Sequence, residues 1–193
     1  AKVEGKGNDE DKFAYLRDVR QYRNLLLVEQ PNGDFARTMV RQFFYSVFAD
    51  LYWRAMMQSK DATLAAIAAK SEKESAYHVR HCSEWIVRLG DGTEESHARA
   101  QEAIDHLWAY TGEIFDVDSA ERGLIDAGIA IDPATLKAQW LKIVGGVIAE
   151  ATLTLPSNNW MQQGGRIGHH SEHLGHLLSE LQSLQRSFPG ATW

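Results

Sequence analysis

Between Phe35 and Met56 the apolar residues fall at Phe35, Met39/Val40, Phe43/Phe44, Val47/Phe48, Leu51/Tyr52 and Ala55/Met56. The period is that of an α-helix, and the stripe is too wide for a helix that touches its neighbours along one seam. Such a segment must be surrounded by other helices, so it constrains the fold more than any other stretch. Pro31-Asn32-Gly33 precedes it, and Asn32 or Asp34 supplies a cap.

The rest of the chain supplies the neighbours. Asp61 caps a helix over 61–89 that stops at Gly90-Asp91-Gly92, and Thr93 opens another reaching Phe115. A shorter piece covers 119–127. Asp132-Pro133 starts a helix that carries Leu136, Trp140, Ile143/Val144 and Val147/Ile148 and stops before Pro156. The last helix runs over 169–187 with Leu174, Leu177/Leu178, Leu181 and Leu184 on its apolar face. No alternating strand pattern is present, so the sequence predicts an all-α, up-and-down bundle. Residues 1–12 read as a linker, followed by a single domain over 13–193.

Charge and cysteine content narrow the function classes. A formal net charge of −6 with no basic stripe argues against nucleic acid as a partner. No stretch reaches the ~20 apolar residues of a membrane span, and no signal peptide is visible. The one cysteine, Cys82, excludes an internal disulfide and suits the cytoplasm; its place on a core stripe makes it a packing residue.

Two features hold candidate chemistry. On the helix over 61–89, one row reads Leu64, Ile67/Ala68, Ser71, Glu74/Ser75, His78, His81/Cys82, Trp85 and Leu89. Glu74, His78 and His81 on a buried face need partners, because an unpaired buried charge is costly. Di-iron bundles use Glu-x-x-His pairs at i and i+3 plus lone glutamates, and Glu150 is available as one of the latter. Here Glu74 and His78 are four apart and position 77 holds Tyr77, so a buried polar cluster without metal is the expectation. The alternative is a di-metal carboxylate oxidase built on Glu74, His78 and Glu150.

The second feature is HHSEHLGH. His169–His173 and Glu172–His176 are i,i+4 pairs with zinc or nickel spacing, while Glu172 also suits the helix dipole. Trp160, Arg166, His169, His170, Glu172 and His173 are the expected partner or anion surface, with free N–H groups at the helix start as donors. Trp193 is a further candidate for a contact.

Several runs carry a family resemblance: NLLLVEQPNGDFA (24–36), KESAYHVRH and WIVRLGDGT within 73–93, EATLTLP (150–156), GGRIGHHSEHLGHLLSELQSLQR and PGATW. Together they resemble the C subunits of phenylacetyl-CoA epoxidases from about Phe13 onward. The resemblance implies a ferritin-like helical fold, with two further helices ahead of the linker. It implies a structural, non-catalytic role beside a catalytic A subunit whose di-iron centre forms the ring-1,2-epoxide, with the complex's other subunits and its reductase nearby. No cofactor is expected in this chain, iron belonging to the A subunit, and phenylacetyl-CoA would meet it only indirectly. The Phe35–Met56 stripe and the 158–176 segment are the expected contact surfaces.

Overall fold

The computed structural model describes residues 4–157 and 160–191. Among the described residues it is all-helical, with nine α-helices and short 3-10 turns between them. In chain order they are α1 (Glu10–Tyr15), α2 (Leu26–Glu29), α3 (Phe35–Met56), α4 (Ala62–Gly90), α5 (Glu94–Leu107), α6 (Ser119–Asp126), α7 (Lys137–Glu150), α8 (Glu172–Leu181) and α9 (Ser183–Ser187). Residues 10–12, assigned to the linker from sequence, belong to α1. By contact density the chain divides into a contiguous unit, Asn32–Gln162, and a discontinuous one, Ala1–Pro31 with Gln163–Trp193.

In the contiguous unit α3 and α4 form a long antiparallel pair, with α5 and α7 also packed on α3. Local chemistry sets the ends. The Asp34 carboxylate accepts from Arg37 N at 2.9 Å, and Asp61 accepts from Thr63 N and Leu64 N at 2.9 and 3.0 Å. Thr93 and Ser96 close a capping box on α5. The wide stripe of α3 buries Val40, Phe43, Phe44 and Val47 completely or nearly so. Around Phe44 stand Trp108 and Trp140, and Trp140 in turn packs against Phe115. Trp140 Nε1 donates to the Phe44 carbonyl at 3.0 Å, which satisfies the one polar atom of a fully buried indole. The stripe expected to meet a partner is therefore the core of its own unit.

The end of the helix opened by Thr93 differs from the sequence expectation. The helix from Thr93 stops at Leu107 and continues as 3-10 turns to Phe115. There the Thr111 hydroxyl donates to the Trp108 carbonyl (2.8 Å), and Gly112 lies so close to Met161 that a Cβ would collide with its side chain. The α4 end is equally specific. A Cβ on Gly90 would run into the Ala151 carbonyl, so the C-termini of α4 and α7 meet backbone to backbone.

In the discontinuous unit α8 is pinned through Leu174, Leu178 and Gln182, all buried. The Gln182 amide donates to the Ala14 and Arg17 carbonyls at 3.2 and 2.9 Å and contacts the Tyr22 hydroxyl at 3.0 Å.

Candidate functional site

The polar centre of the α3–α4 pair is not where the sequence row placed it. The buried positions of α4 are Ala68, Ser75, Cys82, Ile86 and Gly90. Glu74 lies on the flank of that row, its side chain 79 % exposed, and it faces His78 of its own helix at 3.8 Å. Tyr77 is exposed, stacks on His81 (5.9 Å between centroids) and carries Arg80 over its face. Glu150 is exposed and at the other end of the pair. It adjoins Ala151, which packs on Gly90, and Gly90 is sixteen residues beyond Glu74, about 24 Å along a helix. Glu74, His78, His81 and Glu150 thus form no common cluster, and Glu74, His78 and Glu150 cannot share a metal pair.

What α3 and α4 do share is an ion-pair bridge. Arg54 Nε donates to Asp50 Oδ2 at 2.9 Å, one turn back on α3, and its Nη2 reaches Glu72 Oε1 on α4 at 3.0 Å. Asp50 is largely buried, and its Oδ1 has no hydrogen-bond partner among the described residues. Two carboxylates from neighbouring helices are therefore joined by a guanidinium, whose planar fork can satisfy both at once. Glu72 and Ser75 hold the i,i+3 spacing of a ligand pair, but a serine hydroxyl stands where a histidine would be needed. The residues present do not fit a di-iron centre. Among the described residues no three His, Cys, Asp or Glu side chains come together in a metal-holding group.

The C-terminal histidines are divided rather than shared. His169 and Glu172 are exposed, and Arg166 and His173 are half-buried. The His170 side chain is inside, 2 % exposed, against Glu29 of α2 at 1 %. His170 Nδ1 lies 2.6 Å from Glu29 Oε1, and Nε2 lies 3.0 Å from the Tyr22 carbonyl. The other Glu29 contacts are all donors: Asn24 Nδ2 at 2.7 Å, and Ser171 N and Oγ each at 2.8 Å. Both ring nitrogens of His170 therefore lie against oxygens, one of a carboxylate and one of a backbone carbonyl. The anion expected at the start of the last helix is supplied internally by Glu29, and α8 begins at Glu172 because Ser171 is held in that network. Glu29 has a sequence signal, a carboxylate at the end of the apolar run Leu25 to Val28.

Trp160 is 60 % exposed. Asn158 and Trp193, also candidates for contact, lie outside the described residues. Cys82 is buried, and burial pushes its thiol from the ordinary 9.0 up to about 11, as suits a packing residue.

Comparison with known proteins agrees with this architecture. A family model described as "Phenylacetic acid catabolic protein" matches residues 1–193. The chain belongs to this family. It is 48 % identical over 193 residues to the C subunit of the 1,2-phenylacetyl-CoA epoxidase of Escherichia coli (strain K12), covering all of this chain and 77 % of that protein. An all-α ferritin-like helical bundle is the fold class of this family member, and phenylacetate catabolism is its setting. No helix among the described residues is long and apolar enough to cross a membrane.

Proposed function

We propose that the chain is a non-catalytic structural subunit of a phenylacetyl-CoA 1,2-epoxidase complex, supporting a separate catalytic A subunit in the cytoplasm. The relative is by name a C subunit, which supports membership in such an assembly. The observation that carries the non-catalytic role is the Arg54 bridge. The carboxylates that α3 and α4 bring together are neutralised by a guanidinium, so the chain balances that charge with its own cation. Iron belongs in the partner, and phenylacetyl-CoA contacts this chain only at the edge of the partner's site. The remaining subunits and the reductase complete the electron supply.

Co-expression with the A subunit tests this. The two should co-purify, with iron in proportion to the A subunit alone, and omission of this chain should lower epoxidation. Two irons per copy of the isolated chain, or turnover without the A subunit, would overturn the proposal.

A further inference from the structure

Asn32 is the one asparagine of the chain followed by glycine, and the fold requires that glycine. Gly33 has a φ of +60°, in the left-handed region, and a Cβ there would stand 2.6 Å from Arg37 Cδ. The same lack of a side chain leaves the Gly33 nitrogen unhindered towards the amide carbon of the residue before it. Both residues are exposed. Gly33 N makes no hydrogen bond among the described residues.

We infer that Asn32 is a site of spontaneous deamidation that α3 holds in check. In this reaction Gly33 N bonds to Asn32 Cγ, the Cγ–Nδ2 bond breaks, and the departing nitrogen carries the Gly33 proton away as ammonia. The cyclic imide then opens with water, at either carbonyl, to aspartate or iso-aspartate. No electrons are exchanged, and water is the only co-reactant. Both reacting ends are tied to α3. Arg41 Nη2 donates to Asn32 Oδ1 at 2.5 Å, which fixes the amide under attack. Thr38 Oγ1 donates to the Asn32 carbonyl at 2.9 Å. That carbonyl shares a planar peptide unit with Gly33 N, so the Thr38 bond also fixes the attacking nitrogen. Forming the imide draws the amide and the peptide plane together from non-bonded distance, a movement that strains both hydrogen bonds.

The surroundings favour the product once those two bonds open. Arg41 is half-buried, and Arg37 stands one turn before it on α3. Burial, and after it the Arg37 charge, hold the Arg41 guanidinium below its ordinary value. A carboxylate at position 32 would replace a neutral acceptor of Arg41 with an anion, which makes the hydrogen bond stronger and offsets the repulsion between the two arginines. Asn32 is thus protected kinetically at a place where aspartate binds better.

Peptide mapping of the purified full chain, incubated at mildly alkaline pH, measures the amide left at position 32. The free peptide 29–36 is the reference. The native chain should lose the amide about tenfold more slowly than the peptide, the low end for a hydrogen bond to a charged group. Arg41→Met and Thr38→Val should each raise the native rate several-fold, with helical circular dichroism unchanged. Thr38→Val keeps the shape of its side chain, and it decides the matter if Arg41→Met fails to fold. A native rate equal to that of the peptide overturns the inference. So does a rate that a folded variant leaves unmoved. Asn32→Asp should melt at or above the parent, and a lower melting temperature would overturn the stabilised product. The proposed structural role stands or falls separately, on co-purification.

Discussion

Replacing Arg54 with methionine tests the polar centre most directly. Methionine keeps the helix propensity and much of the apolar stem while deleting the guanidinium. Two contacts vanish, to Asp50 at 2.9 Å and to Glu72 at 3.0 Å. Exposed ion pairs are worth ~0.2–1 kcal/mol each, whereas stranding a fully buried charge costs ~3–5 kcal/mol. Arg54 is half open to solvent and Asp50 is not. The balance lies near ~2 kcal/mol, or about 4–8 °C in melting temperature for a chain of this length. The decisive measurement is a cycle of thermal or urea melts. Asp50→Asn alone should destabilise, because it weakens the bridge. Made in the Arg54→Met background it should recover about half of the loss, because it removes the stranded charge. An Arg54→Met chain within ~0.5 kcal/mol of the parent, or an Asp50→Asn change that adds to its loss, would refute the account.

Glu29→Ala leaves the buried His170 ring and the Ser171 and Asn24 donors without their acceptor, and should cost about 2–4 kcal/mol by chemical denaturation. Glu74→Ala should change stability by less than ~0.5 kcal/mol, since its pairing with His78 is exposed. Gly90→Ala should lower the melting temperature clearly, by an amount on the order of 2 kcal/mol, as the new methyl meets the Ala151 carbonyl. Cys82 should resist alkylation at pH 8 in the native chain and react in denaturant. Its raised thiol favours the neutral form in the fold, so that contribution is complete below pH 9 and lost as pH rises towards about 11.

The helices are legible in the sequence because their caps and periods agree: Asp34, Asp61, Thr93 and Asp132 each stand at or beside a helix start. The rotation of α4 is not. Its first turns hold Ala65, Ala66, Ala68 and Ala69, which give the helix no apolar contrast, so rows one residue apart read alike. The row through Glu74 and His78 has apolar ends in Leu64 and Leu89, whereas packing against α3 selects Ser75, Cys82 and Ile86. The position of Glu150 depends on where α7 ends against Gly90, which periodicity does not encode. The histidine run marks the right segment but hides its use. Glu29, 141 residues from His170, explains it, and only the folded chain brings the two together.

That separation also sets an order of assembly during synthesis. The unit Asn32–Gln162 is contiguous and has its whole sequence as soon as Gln162 is made. The other unit cannot close until Ser171, 142 residues after Glu29, has emerged, so a carboxylate destined for burial waits for its partners until then. A chain halted before His170 would hold all of the 32–162 unit and a Glu29 still without His170 and Ser171. Closure of that unit thus reports that synthesis has passed Ser171.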